Sequence, residues 1–192
     1  EKQAQLQASS APKAVKPTIE DIKALFNKNI IKFGDANAKN IFVVVIDPSD
    51  PYSIKISEVE PLPQIRRLVA SGEASLIVLY NDGAGYGQLA MQSLYCAYDQ
   101  DIFWPVYDRL MTNQGLLLIK EIKNDNANEQ KLIDFLKEIN NSKPFTDCIR
   151  IGSLGTNTYT DLEIVKTLGI LGTPGFFVND KKFGGAYSWN DM

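Results

Sequence analysis

Apolar residues along this chain fall into two kinds of pattern. The first is the short unbroken run, "NIFVVVI" over Asn40–Ile46 and "SLIVLY" over Ser75–Tyr80. Runs of this length, β-branched and closed by polar residues, predict strands buried on both faces. The second is the helical stripe. Ile19, Ile22, Leu25 and Phe26 share one helical face behind Thr18, which caps that helix with Asp21 three residues on. From about residue 84 to 170 the chain reads almost wholly as helix. Leu89, Leu94, Ile102, Phe103, Leu110, Leu132, Phe135, Leu136 and Ile139 supply its apolar stripes.

Punctuation divides these blocks. Asp50-Pro51-Tyr52-Ser53 opens a helix directly after the first buried run, with breaks at Pro61 and Pro63 before it resumes to about Gly72. "NIIKF" before residue 34 predicts a further short strand. Thr160 with Glu163 predicts a second capping box, and Gly169 a helix stop. "GFFV" and "KKFGG" flank Asn179-Asp180, a two-residue hairpin turn, and Ser188 caps a last short helix. The order strand, helix, strand, helical block, hairpin predicts an α/β fold: a mixed sheet interrupted by a helical insertion. Residues 1–17, "EKQAQLQASSAPKAVKP", carry few large apolar groups and read as a flexible tether, which leaves 18–192 as one domain.

Composition then narrows the chemistry. There is no histidine, which excludes Ser-His-Asp and Cys-His catalysis and imidazole metal sites. A net charge of -3 argues against a nucleic-acid partner. No apolar run approaches the roughly 20 residues of a membrane-spanning helix. "NDGAGYG" over Asn81–Gly87 lacks the Lys-Ser/Thr of a phosphate loop and reads as a connection. No metal or organic cofactor is called for. The two cysteines, Cys96 and Cys148, lie apart within the helical block. Small core residues, a structural disulfide and a redox pair are the three readings of them, and the usual burial of cysteine favours the first.

Three stretches together carry a resemblance: "VVVIDPSDPYS", "CAYDQDIFWPVYDRLM" and "LGILGTPGFFVNDKKFGGAYSW". In this order the chain resembles the DsbA-like branch of the thioredoxin superfamily from about residue 30 onward. The resemblance implies a thioredoxin-like mixed sheet with an inserted helical domain and a cis peptide bond at Thr173-Pro174. It also implies that Asp50 and Ser53 stand where relatives carry the nucleophilic and resolving cysteines of Cys-Pro-x-Cys. A carboxylate cannot exchange disulfides and a serine cannot resolve a mixed one. As a helix start, by contrast, Asp-Pro-Tyr-Ser is well formed: Asp caps and Pro occupies the first turn.

The expectation is therefore a redox-inactive scaffold, binding or assembly subunit, with no catalytic residue at Asp50, Pro51, Tyr52 or Ser53. Its protein partner belongs to a bacterial cell-envelope complex, periplasmic or otherwise extracytoplasmic. Tyr52, Thr173, Pro174 and Phe176 are the candidate partner groove, because pairing with an extended peptide beside a cis-proline does not need cysteines. Two alternatives stand beside this. One is a periplasmic thiol-disulfide oxidoreductase or disulfide chaperone. The other is an enzyme similar to kappa-class glutathione transferases and their isomerase relatives, whose Ser-Pro-Tyr motif "SDPYS" resembles. There the serine precedes the proline, whereas here Asp50 does; Ser49 falls one residue early and Ser53 a turn late.

Overall fold

The computed structural model describes residues 16–83, 85–151 and 155–192. The predicted tether lies almost entirely outside them. Five strands form one mixed sheet: β1 (Ile31–Phe33), β2 (Asn40–Ile46), β3 (Ala74–Tyr80), β4 (Gly175–Val178) and β5 (Lys181–Gly184), in the order β1-β3-β2-β4-β5. The two apolar runs become the parallel pair β2 and β3, with Phe42 opposite Leu76 and Val44 opposite Val78. The β4–β5 hairpin adds antiparallel to β2, and β1 antiparallel to β3.

Alternation along these strands feeds two cores. Phe42, Val44, Ile46, Leu76, Val78 and Phe176 face one side. Ile41, Val43, Val45, Ile77, Leu79 and Phe177 face the other. Each fully buried aliphatic side chain contributes about 1.5–3 kcal/mol, so both faces of the central strands are built almost wholly from apolar residues, Ser75 of β3 being a buried exception. The first face is covered by α2 (Pro51–Glu58), α3 (Leu62–Ala70) and the block α4 (Gln88–Tyr98), α5 (Phe103–Leu110), α6 (Asn113–Ile122), α7 (Glu129–Leu136) and α8 (Lys143–Ile151). The second is covered by α1 (Ile19–Ala24) and by α9 (Gly155–Thr167), whose Val165 packs there. The helical stretch thus divides, its last helix serving the sheet rather than the insertion.

Local signals explain most element ends. Thr18 and Asp21 make the reciprocal capping box of α1, and Ser188 with Asp191 makes another at the closing 3-10 turn. After α9 the Ile170 amide reaches back to the Val165 carbonyl at 3.1 Å while Gly169 takes φ +67°, the left-handed stop that glycine permits. Both Glu60-Pro61 and Thr173-Pro174 are cis.

Two expectations need correction. Thr160 does not cap a helix with Glu163: it sits inside α9, and its hydroxyl donates to the Thr156 carbonyl one turn back, at 2.9 Å. Ile139 is not part of an apolar stripe. It lies in the turn after α7 and is exposed. In "FWPVYDRL" Phe103 and Tyr107 are buried in the core. Trp104 sits half-buried beneath the Arg66 guanidinium, 3.9 Å from its ring centre.

Candidate functional site

The C-terminal end of β2 runs into α2 through Asp47-Pro48-Ser49-Asp50, a junction rich in buried polar groups. Asp47, Ser49 and Ser53 have no accessible surface and Asp50 very little. Buried carboxylates are costly unless their oxygens are satisfied, and here the partners are at hand. Asp50 caps α2. One oxygen accepts the Tyr52 amide at 3.0 Å, the other accepts both the amide and the hydroxyl of Ser53, at 3.1 and 2.9 Å. Its charge also sits at the positive end of the helix dipole. Pro51, at the first helical position, has no amide hydrogen to satisfy.

Asp47 organises the other half. One oxygen accepts the amide and hydroxyl of Ser49, at 2.8 and 2.6 Å, and the other accepts the Gly83 amide at 3.1 Å. The Asp47 amide in turn donates to the Ser53 hydroxyl oxygen at 3.2 Å, joining the Asp50 carboxylate to the Asp47 backbone through one serine. Glycine is required around it. A Cβ on Gly87 would fall 2.1 Å from Asp47 Oδ1; one on Gly83 would fall 2.8 Å from Thr173 Oγ1 and 3.4 Å from Asp47 Oδ2. The β2–α2 junction, the β3–α4 loop and the cis-proline loop therefore converge here. Asp47, Gly83 and Gly87 are site residues that the sequence reading missed. The only signal was an acid followed by proline at the end of an apolar strand, facing a glycine-rich loop.

Thr173 and Pro174 line an open cleft of about 340 Å³ with Leu171, Gly172, Phe183 and Gly185. Leu171 is 97% exposed at its rim. The predicted groove needs two changes. Phe176 is fully buried, paired with Val44 inside the sheet, and cannot meet a partner. Tyr52 is 61% exposed on α2 and is not among the residues lining the cleft. The apolar contribution comes instead from Leu171 and Phe183, and Tyr187 stands against Phe183 with ring centres 5.4 Å apart.

The sulfur lies elsewhere. Cys96 on α4 and Cys148 on α8 are joined by a disulfide, Cα atoms 5.9 Å apart, and these are the only two cysteines in the sequence. The core-cysteine and disulfide readings thus meet: Cys96 is fully buried and Cys148 partly so. Neither serine of the junction presents its hydroxyl to solvent, since both are buried and both donate to carboxylates.

Behind the site, Asp161 of α9 is buried and ties three elements together. It accepts the Tyr95 hydroxyl of α4 at 2.7 Å and the Tyr80 amide of β3 at 3.1 Å. Burial pushes its carboxyl up to about 8, against the downward pull of those two hydrogen bonds. Burial likewise raises the Tyr80 and Tyr95 hydroxyls, so both stay protonated.

No group of three or more potential metal ligands occurs among the described residues. No helix among them is long and apolar enough to cross a membrane.

The family model described as thioredoxin matches residues 27–192. Solved structures share the fold. The catalytic domain of Proteus mirabilis ScsC aligns with a TM-score of 0.66 at 23% identity, covering 90% of each chain. The thiol-disulfide exchange protein alpha-DsbA2 of Wolbachia pipientis aligns at 0.63 and 22% identity, covering 90% of this chain and 89% of its own. DsbA of Chlamydia trachomatis aligns at 0.61 and 23%, covering 85% and 88%. No curated protein matches.

Proposed function

We propose that this chain, which belongs to the thioredoxin family, is a redox-inactive member with a DsbA-like fold that holds a partner protein rather than oxidising one. In this reading it is a scaffold or assembly subunit of a bacterial cell-envelope complex, and the cleft beside Pro174 receives an extended segment of the partner. One observation carries the reading. The start of α2, where a thiolate would have to be stabilised for disulfide exchange, is filled by the Asp50 carboxylate with three hydrogen bonds of its own. Carboxylate oxygen cannot attack a disulfide and regenerate itself by exchange. The only two cysteines are already bonded to each other in the helical block, with Cys96 inaccessible. The cleft itself needs no sulfur to bind a peptide backbone.

An extracytoplasmic location is part of the proposal. The Cys96–Cys148 disulfide supports it, because such bonds persist in oxidising compartments. The test is disulfide exchange on a reduced model substrate, comparing the native chain with an Asp50→Cys, Ser53→Cys double variant. The expected result is turnover by the variant alone. Turnover by the native chain that disappears in Cys96→Ser, Cys148→Ser would return it to the thiol-disulfide oxidoreductases.

A further inference from the structure

A second cleft, of about 570 Å³, opens where the end of α9 meets the β5 strand. Lys16, Lys166, Lys181 and Lys182 line it over a floor that includes Phe177 and Phe183, and none of its lining residues is acidic. The chain as a whole carries a net charge of -3, so this is a local reversal of sign. Among the described residues β5 is also the outermost strand, with only β4 paired to it. Lysines on an edge strand commonly serve to keep other strands away. That accounts for Lys181 and Lys182. It does not account for Lys166 on α9 or Lys16 ahead of α1, which come from separate parts of the chain and converge on the same cleft.

We infer that this cleft is a docking site for an acidic, extended segment of a partner protein, laid along β5. A strand alternating acidic and apolar residues fits both surfaces. Its apolar side would meet Phe183, on one face of β5, and its carboxylates Lys182, on the other face beside Lys166, while its backbone pairs with the open side of β5. Two of the cations are already set in place. Lys182 donates to the Gly169 carbonyl at 3.0 Å, and its ammonium keeps further donors for a ligand. Lys16 lies 3.8 Å from Asp180 at the hairpin turn. The site adjoins the Pro174 cleft through Gly169, Lys182 and Phe183, but the inference does not depend on that cleft being used.

The probe is a fluorescein-labelled peptide of about ten residues alternating Glu and Val, long enough to span the strand. Fluorescence anisotropy would follow its binding to the full chain. The Lys181→Glu, Lys182→Glu variant should bind at least about tenfold more weakly, and so should Lys16→Glu, Lys166→Glu, which leaves the strand untouched. Lys120→Glu, Lys137→Glu changes net charge equally but lies in the helical block and should bind as the parent does. Circular dichroism melting confirms that each variant is folded. Equal losses in all three variants would reduce the effect to overall charge and overturn the inference. So would the absence of peptide binding by the parent. Lysine-dependent binding to phosphatidylglycerol vesicles without peptide binding would make the cleft a membrane contact and overturn it as well.

Discussion

Asp50 and Ser53 are joined twice: one carboxylate oxygen accepts both the amide and the hydroxyl of the serine. The pair closes the first turn of α2 upon itself, and the Ser53 hydroxyl oxygen then accepts from the Asp47 amide, tying that turn back to the end of β2. Asp50→Ala removes the acceptor for two backbone amides and leaves a buried hydroxyl seeking one. We expect it to cost about 1–2 kcal/mol, read as a lower urea midpoint at unchanged slope. Asp50→Asn retains one acceptor and should lose less. An alanine variant as stable as the parent would remove the cap from this account.

Gly87 permits the Asp47 carboxylate to sit where it does. Gly87→Ala places a methyl group into Asp47 Oδ1 and close to Pro48. Overpacking of this kind costs about 1–3 kcal/mol. Thermal denaturation should show the loss, with Gly72→Ala serving as the contrasting case: a Cβ on Gly72 would meet nothing within 4 Å but the residue takes φ +78°, so its cost is backbone strain alone.

The disulfide joins residues 52 apart in sequence. Loop-closure entropy assigns such a bond about 4 kcal/mol. The Cys96→Ser, Cys148→Ser variant should lose stability on that scale. Maleimide labelling of the denatured native chain should find no thiol before reduction and two afterwards. Labelling before reduction would contradict the bond.

Asp161 gives stability a pH dependence of unusual sign. Its carboxyl titrates near 8 when folded, against 3.8 when exposed. Between those values the folded state binds the proton that the unfolded state has released. Stability therefore falls as pH rises through this window, and the full penalty applies above it. Asp161→Asn should lack that component, so the stability difference between parent and variant should shift by a few kcal/mol between about pH 4 and pH 8. Parallel pH profiles would show that Asp161 titrates normally.

Leu171 tests the Pro174 cleft without disturbing the core, because it is almost wholly exposed. Leu171→Asp should leave the melting temperature unchanged and weaken capture of the native partner by about tenfold, the scale of one apolar anchor. Tyr52→Ala, outside the cleft, should have a smaller effect. Full retention of the partner by Leu171→Asp would place binding on another face.

The sequence made the frame legible wherever one local signal sufficed. Asn40–Ile46 is a strand with the predicted ends because both its faces are covered, leaving no competing pattern. Asn179 turns the hairpin with φ +56°, as its residue type allows. The failures are tertiary. "GFFV" reads correctly as a hairpin strand, yet only the packed sheet decides that Phe176 faces the core. Thr160 and Glu163 have the spacing of a cap, but α9 begins upstream at Gly155 and the signature falls within it. Asp47 was passed over because one oxygen of its carboxylate is held by Gly83, in a loop more than thirty residues away that no local pattern connects to it.

The Cys96–Cys148 bond bears on how the protein matures. Closing it takes two electrons and two protons from a pair of thiols, and some acceptor must receive them. With only two cysteines in the sequence, no second pair within the chain can do so. The oxidant must come from outside. Completion of the helical block therefore depends on an acceptor supplied by the surroundings, a small-molecule oxidant or another disulfide. The junction built on Asp50 is indifferent to the redox poise of its surroundings.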